Sequence, residues 1–489
     1  MGDAYIEVES ELPEVVAAGE EKFNEDVDRE LIRSMEKELS ADWPRRRVGK
    51  LVDYSCCIFR VPVRFGQRGI VPSTVSIGPY HDNKREEYRA MEKNKRRSLA
   101  SLLERTREEK GLTLEDYFVK VKCLEEEARD YYSEAIPLAS HEFLAILVVD
   151  GCFIVELFRK WFGIVDLEED DPLFIFGDST AVALLNDLLS IENQIPFFVL
   201  QALFDLTKSP DDDPGWSLPF IFLNIFRDDP SFSRPEAILD GVEGIRWRHL
   251  LEILRWSFIQ RLPQREPPRK PPGFAWSRAI LRQLRGTKAK VVPKSRGGMQ
   301  CISKLRKAGI KPTPSKEGDS VRAIGFNGGT IVMPPIRIDG FMAAFLQNCV
   351  VYEQYLPDRC KSITEYAIFL DRLIDTHADV GVLREEGVLT NYYGTDGELA
   401  KAVNELVKGV NTSFCDEEGD LSQVSRQINL YYNSTYWHFH WAAFKDKYFN
   451  SPWSSISFFA AIVLLLLSVT QTVFAILPYF KPLHYDKKG

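Results

Sequence analysis

Several features that would indicate a familiar chemistry are missing from this chain of 489 residues. Its eight cysteines are scattered and form no Cys-x-x-Cys pair, which argues against a disulfide framework or a zinc site. The sequence lacks both the Gly-x-Ser-x-Gly elbow of many hydrolases and the glycine-rich loop that holds phosphates. The first residues lack the basic start and apolar stretch of a secretory signal. We therefore expect reduced thiols, no cofactor and no enzyme activity.

A long uncharged run stands near the C-terminus, beginning with Ile456 and ending with Leu477. At about 1.5 Å of rise per residue, a helix over residues 456–477 would cross the roughly 30 Å of a hydrocarbon core. Pro452 and Trp453 precede the run, and a tryptophan suits a membrane interface. The run predicts a single-pass, tail-anchored membrane protein with the lipid bilayer as its partner. A buried core helix is the alternative interpretation.

The predicted membrane is the plasma membrane or an endomembrane, and the sequence gives opposing indications of which side the large body faces. Without a signal peptide, the large body has no evident route across a membrane, so we expect it to face the cytosol. The short tail is slightly richer in lysine than the upstream flank, and Asn411 and Asn433 match the glycosylation pattern. These two observations favour the opposite orientation.

Charge divides the chain unevenly around its net value of −9. Residues 1–42 hold 14 acidic and 4 basic residues, whereas residues 265–316 hold 15 basic residues and one acid. The basic stretch is also rich in proline, which breaks long helices. The predicted divisions are an acidic arm (1–49), a helical part (50–264), a basic linker or insertion (265–316), a second helical part (317–450), the anchor (451–480) and a tail (481–489).

Apolar residues recur at helical spacing through most of the body. Helices are predicted over residues 84–107, 113–134, 142–162, 180–206, 341–355, 362–376, 396–411 and 417–449. Pro196 interrupts the fourth of these and indicates a tight junction between two helices. Asn327 and Gly328 lie between two short β-prone runs and predict a hairpin. The fold class is therefore a mainly α multi-helix bundle with one small β-hairpin and a C-terminal transmembrane helix.

A set of short motifs, in a fixed order, resembles the plant family catalogued as domain of unknown function 247. Gly-Pro-Tyr-His ending at His81 and Glu-Asn-Gln ending at Gln194 are two of them. Asp82 departs from the family pattern, which commonly has a second histidine there, and so do Ser190 and Ile191, where Leu-Leu is usual. The motifs occupy residues 56–62, 71–81, 91–95, 127–129, 150–153, 187–197, 305–309, 333–335 and 448–453.

The resemblance implies a set of plant membrane-anchored helical proteins without established enzyme activity. Some grass members are proposed as pollen-side determinants of self-incompatibility, which is a recognition role. The motif residues that the resemblance marks as structural or functional candidates are Pro79, Tyr80, His81, Arg129, Asp150, Asp187, Glu192, Asn193, Gln194, Pro196, Pro452 and Trp453.

Two groups of candidates can be weighed on their chemistry. Glu192, Asn193 and Gln194 stand between apolar helices, where they could form a binding cleft. The structural alternative, which we favour, is that the amides cap the next helix and that Glu192 pairs with a basic residue. Asp150 lies within an apolar helical pattern, where an unpaired charge would cost several kcal/mol. An ion pair with a buried partner such as Arg129 is therefore favoured over a catalytic acid.

Two remaining features leave alternatives open. His438 and His440 lie between tryptophans, and an interfacial aromatic cluster is favoured there over a metal site because residues at i and i+2 face different sides of a helix. The basic segment 265–316 could bind anionic lipid headgroups, contact the acidic arm or simply be solvated. Few aromatic residues interleave its charges, so nucleic acid is an unlikely partner.

The function that we favour from the sequence is a non-catalytic recognition or signalling component that acts through protein–protein contacts, with an unknown partner. Lipid or nucleic-acid binding through residues 265–316 is the first alternative. An enzyme with an unrecognised site in the central bundle is the second.

Overall fold

The computed structural model describes residues 56–66, 69–166, 177–210, 212–232, 234–236, 245–260, 299–315, 320–356, 361–410, 419–449 and 452–480. The prediction of a mainly helical protein is confirmed. The described helices are α1 (Arg89–Lys110), α2 (Leu114–Lys122), α3 (Glu125–Asp130), α4 (Ser140–Phe162), α5 (Gly177–Leu188), α6 (Phe197–Thr207), α7 (Leu218–Asn224), α8 (Leu250–Gln260), α9 (Ile302–Lys307), α10 (Gly340–Tyr355), α11 (Ser362–Leu373), α12 (His377–Glu385), α13 (Asp396–Leu406), α14 (Asp420–Phe449) and α15 (Pro452–Phe480). The described strands are β1 (Lys311–Pro314), β2 (Gly325–Asn327), β3 (Thr330–Met333), β4 (Ile336–Ile338) and β5 (Leu389–Asn391).

Helix α4 is the central helix of the N-terminal half because its sequence is apolar on nearly every side. Helices α1 and α6 pack along it, and α2 and α7 contact it as well. Gly151 allows the close approach of α6, since a Cβ added at this position would lie 2.5 Å from Leu203 Cδ1. The helix ends before Gly163, whose left-handed conformation closes the last turn.

Helix α10 is the central helix of the C-terminal half. It is buried along most of its length and contacts α8, α11 and α13. It also contacts α5, and one cluster of buried apolar side chains includes both Leu189 and Leu346. The two helical parts therefore share a single core. The predicted divisions of the chain stay a prediction.

The sheets are small, but there are two of them among the described residues, where the sequence predicted one hairpin. The predicted hairpin is confirmed: β2 pairs antiparallel with β3, and Asn327 lies opposite Thr330. The turn itself is formed by Gly328 and Gly329, both with positive φ. Strand β1 pairs parallel with the other edge of β3, and β4 pairs parallel with β5 in a separate sheet.

The junction predicted near Pro196 is confirmed. Helix α5 ends at Leu188 and α6 begins at Phe197, with Pro196 in the N-cap position of α6. The single helix predicted over 113–134 is instead two short helices, α2 and α3, because the chain turns at Cys123 and Leu124.

The expectation of a C-terminal transmembrane helix is wrong. In the part of the chain that the structure describes, no helix is both long and apolar enough to cross a membrane. The single-pass localisation and the orientation that depended on it are therefore not supported.

Several other predictions lie outside the described residues. They concern the acidic arm at 1–49, most of the basic segment 265–316 and the tail at 481–489. The side chains of Trp453, His438 and His440 also fall outside, although α14 and α15 cover these positions. The contact between the arm and the basic segment stays a prediction.

Candidate functional site

The motif residues come together around one loop, residues 69–81, which has no regular secondary structure apart from its turns. Asp187, in the last turn of α5, fixes the start of this loop. Its carboxylate accepts hydrogen bonds from the backbone N–H groups of Ser73, Thr74 and Val75 at 2.5–3.1 Å. Burial raises the pKa of Asp187, and these hydrogen bonds, which favour the carboxylate, only partly offset that effect. The carboxylate supplies partners that the loop backbone lacks.

Asn193, in the junction between α5 and α6, also holds the loop in place. Its Oδ1 accepts from Ile77 N–H at 2.7 Å, and its Nδ2 donates to Val75 O at 3.0 Å. Gln194 Nε2 donates to Leu188 O at 2.6 Å and to another carbonyl of the junction. The prediction that these amides cap the following helix is wrong, because Gln194 closes the C-terminal end of α5 and Asn193 binds the loop.

Asp150 lies fully buried in α4 and fixes the end of the loop. Its carboxylate lies 2.8 Å from Lys95 Nζ and 2.8 Å from Arg85 Nη2, and it accepts from Gly78 N–H at 2.9 Å. Lys95, also fully buried, lies 2.6 Å from Glu92 Oε1. Burial would raise the pKa of Asp150, but Lys95 and Arg85 hold it below its usual value. We call Arg85, Glu92, Lys95 and Asp150 the buried ion cluster, which holds two charges of each sign.

The ion pair predicted for Asp150 is confirmed, but its predicted partner, Arg129, is wrong. Arg129 pairs with Glu125 at 3.0 Å and donates to Ile136 O at 3.1 Å. Its guanidinium also lies 4.2 Å from the centre of the Phe143 ring. The true partners of Asp150 lie on α1 and in the turn before it, and they reach Asp150 because α1 packs along α4.

Glu192 links the loop to the segment that precedes it. Its Oε1 accepts from Val61 N–H at 2.6 Å, and its Oε2 lies 3.1 Å from His81 Nε2 and 3.4 Å from Arg60 Nη1. Burial would raise the pKa of Glu192, but His81, Val61 and Arg60 together lower it. The predicted pairing of Glu192 with a basic residue is confirmed.

Pro79 and Tyr80 complete the loop on the side of Arg60. The Tyr80 hydroxyl lies 3.1 Å from Ser133 Oγ, and its ring meets the edge of the Tyr132 ring at a centroid distance of 5.3 Å. The Arg60 guanidinium lies 4.4 Å from the centre of the Tyr80 ring, a cation–π distance. Tyr80 therefore packs between the loop and the half-buried Arg60.

Two further buried polar side chains of α10 were missed by the sequence analysis. Glu353, fully buried, lies 2.6 Å from Arg255 Nη2 and accepts from Thr364 N–H at 2.7 Å. Asn348 accepts from Ile191 N–H at 2.9 Å and thereby joins α10 to the junction. The signal that marked Asp150, a polar residue within an apolar helical pattern, would also have marked these two.

This arrangement is a polar scaffold. Each motif carboxylate is neutralised by cations or by backbone N–H groups, and each amide of Asn193 and Gln194 is hydrogen-bonded to backbone. Within the described ranges, no group of three or more His, Cys, Asp or Glu side chains is placed to hold a metal ion. The contacts of these side chains hold the loop at residues 69–81 in place.

The fold and this scaffold define a mainly helical protein in which buried ionic and amide side chains fix one long loop. Residues 58–467 match the family described as plant protein of unknown function, domain of unknown function 247. The chain belongs to this plant family. Asp82, which departs from the family's usual histidine, pairs with Arg85 at 2.8 Å.

Two curated relatives come from Arabidopsis thaliana. The chain is similar to UPF0481 protein At3g47200, with 31% identity over 446 residues that cover 89% of this chain and 88% of the relative. It is also similar to putative UPF0481 protein At3g02645, with 25% identity over 469 residues that cover 82% of this chain and 86% of the relative. No solved structure matches the chain.

Proposed function

We propose that this protein is a non-catalytic recognition component that contacts a partner protein through residues 60–66, which we call the display loop. The observation that carries the proposal is Val63, which is 81% exposed on a loop that buried side chains hold at both ends. An apolar side chain offered to solvent on a fixed loop is suited to contact with another protein.

Both ends of the display loop are anchored. Glu192, buried beneath it, binds Val61 N–H at 2.6 Å. Gln347 of α10 donates to Phe65 O at 3.0 Å, and the Phe65 ring is buried. A loop that is already ordered loses little conformational entropy on binding, and so more of the contact energy is available for affinity.

The chemistry of the display loop favours an acidic partner surface. Arg64 directly follows Val63 and is exposed, whereas Arg60 already pairs with Glu192 and Glu134 at 3.4 and 3.6 Å. The Arg64 guanidinium lies 4.9 Å from the centre of the Phe65 ring, a cation–π distance. Arginine is enriched at protein interfaces, and here Arg64 stands next to one exposed apolar side chain.

We propose a non-catalytic role because the motif side chains are already engaged by other groups of the protein. A general acid or base must reach a substrate proton with its own lone pair or proton. Asp150 and Glu192 are buried and committed to cations and backbone N–H groups. Their lowered pKa values describe stable carboxylates in a scaffold.

Affinity capture with three forms of the full-length protein tests the proposal. The baits are the wild type, Val63→Asp on the display loop and Val119→Asp on α2, where Val119 is 57% exposed. We expect the wild type and Val119→Asp to retain the same specific proteins, and Val63→Asp to lose them because its negative charge repels an acidic surface. Identical recoveries with all three baits would contradict the proposal.

Binding of lipid or nucleic acid through residues 265–316 stays a prediction, since most of that segment lies outside the described residues. The role in self-incompatibility that the resemblance implies also stays a prediction. Arg64→Glu would separate the display loop from the basic segment, because it leaves all charges of 265–316 in place.

A further inference from the structure

The display loop lies beside the C-terminal end of α13. Gly409 follows this helix closely, and a Cβ added there would lie 2.8 Å from Arg64 O and 3.5 Å from Arg64 Cγ. Glu405 lies in the last turn of α13, one turn before Gly409, and its carbonyl accepts from Lys408 N–H at 3.1 Å. The display loop, with its exposed Val63, and the end of α13 therefore form one continuous surface.

Glu405 also lines a crevice of about 400 Å³, which brings the crevice onto the same surface. Lys401 and Glu398 of α13 line it as well, and Gly340 and Tyr393 complete the lining. The volume falls in the range of sites that hold a small molecule, about 300–1,000 Å³, so side chains of another protein can enter it. Tyr393, partly buried against the core, offers an apolar contact there. A protruding loop and a crevice thus lie side by side.

The protruding part and the crevice carry charges of opposite sign. Arg64 is exposed, and its guanidinium lies over the Phe65 ring without a salt bridge to any residue that the structure describes. The Glu405 carboxylate, partly exposed, likewise forms no salt bridge or side-chain hydrogen bond within the described ranges. Lys401 lies between Glu398 and Glu405 at helical spacings of three and four residues, so this wall keeps more negative than positive charge. The protruding part is therefore basic and the crevice acidic.

This surface is complementary to itself. In a twofold-symmetric pair, a patch of one copy meets the same patch of the other, so the patch must supply both halves of the contact. Here a basic protrusion and an acidic crevice are neighbours, and each can face the other across a twofold axis. A second copy of the chain therefore matches both parts of the surface at once.

We infer that the partner of the display loop is a second copy of this chain, with Val63 and Arg64 of each copy in the crevice of the other. The inference rests on the proposed function, because it names the partner of the display loop. Val63 packs against Tyr393 of the second copy, and Arg64 pairs with its Glu405. The symmetry makes two equivalent pairs of this kind, one at each crevice.

Charge reversal in the full-length protein tests the inference, with self-association measured by sedimentation velocity and by co-precipitation of differently tagged copies. Wild-type copies should associate. Arg64→Glu and Glu405→Arg should each associate about tenfold more weakly or worse, because like charges then meet at both crevices. Lys93→Glu, an equal change of charge at an exposed position of α1, is the control and should associate like the wild type. No association of the wild type, or equal association of all four forms, would overturn the inference.

A mixture of the two variants shows whether the charges meet between copies. Arg64→Glu mixed with Glu405→Arg should recover the association, because each crevice of the mixed pair again brings one positive and one negative charge together. A contact between these two residues within one copy predicts no such recovery. A mixture that associates no better than either variant alone would therefore overturn the inference.

The variants should fold, because neither replaced side chain is buried or forms a salt bridge in the described part of the chain, and unchanged thermal melting would verify this. Failure of this inference can be told apart from failure of the proposed function. If wild-type copies stay apart while the wild-type bait still retains proteins that Val63→Asp loses, the display loop contacts a different protein and only the partner assigned here is wrong. Unchanged self-association of Val63→Asp would also overturn the inference.

Discussion

Replacing Asp150 with Asn is the most direct test of the buried ion cluster. The amide keeps an oxygen for the Gly78 N–H but removes the charge that lies 2.8 Å from Lys95 Nζ. Both side chains are fully buried, and the substitution would leave Glu92 as the only carboxylate that pairs with Lys95 among the described residues. Breaking a buried ion pair by removing one partner costs about 3–5 kcal/mol. The free energy of unfolding of the full-length protein, from a guanidinium titration, should fall by that amount.

A double-mutant cycle separates the interaction energy of Asp150 and Lys95 from the packing around them. Lys95→Met alone should also be strongly destabilising, because Asp150 then keeps only Arg85 as a cation. The double variant, Asp150→Asn with Lys95→Met, should lose clearly less than the sum of the two single losses, since no fully buried charge is left without a partner. An additive cycle would refute the reasoning that the two charges depend on each other.

The pH dependence supplies a second check on Asp150. Its folded pKa is lowered, so its contribution to stability is present above the unfolded value of about 3.9 and is lost as the pH falls through the folded value. The stability difference between the wild type and Asp150→Asn should therefore narrow below about pH 4. Glu385→Gln is the control, because its pair with Arg306 is exposed and such pairs contribute about 0–1 kcal/mol.

Two further predictions address single residues. Burial, and after it the charge of Arg248, lowers the pKa of His249 to about 3. The folded protein should therefore lose stability as the pH falls below about 6.5, by roughly 4–5 kcal/mol once His249 is protonated in the folded state. His249→Phe should flatten this pH dependence in urea titrations between pH 6.5 and 4. Gly78→Ala should destabilise by about 1–3 kcal/mol more than Gly111→Ala, because both positions have a left-handed φ but only at Gly78 would a Cβ lie 2.5 Å from Gln194 O. Equal melting temperatures for the two alanine variants would contradict the close contact.

The helical part of this fold was accessible from sequence because its signal is local. Apolar spacing predicted α4 and α10 to within a few residues, and the Asn327-Gly328 pair predicted the hairpin of β2 and β3. The second sheet was missed because β4 and β5 are three residues each and pair across more than 50 positions of the chain. Such short strands carry almost no periodicity of their own.

The site was predicted less well than the helices. The sequence indicated that Asp150 needed a buried partner, since an unpaired charge there is too costly. The partner that it suggested, Arg129, is wrong, and Asp150 pairs instead with Lys95 and Arg85. The choice among cations depends on which face of α1 packs on α4, and a charge-rich helix such as α1 offers many arginines and lysines. Tertiary packing decided the partner.

The motif residues also explain why the loop at 69–81 can do without regular structure. Backbone N–H groups that leave water must find acceptors, and a loop has no neighbouring strand or helical turn to supply them. Asp187, Asn193 and Asp150 supply acceptors for the N–H groups of Ser73, Thr74, Val75, Ile77 and Gly78. Each must stand at one place in the chain, because a shift of one residue would aim its oxygen elsewhere.

These hydrogen bonds also support the proposal that the motif carboxylates are not catalytic. A catalytic carboxylate gains from keeping an oxygen open to substrate, whereas a scaffold carboxylate gains from filling every lone pair. Asp187 binds three successive N–H groups and Asp150 binds two cations and one N–H group. Motif carboxylates bonded in this way fit the proposed role of a protein that presents a fixed surface to a partner.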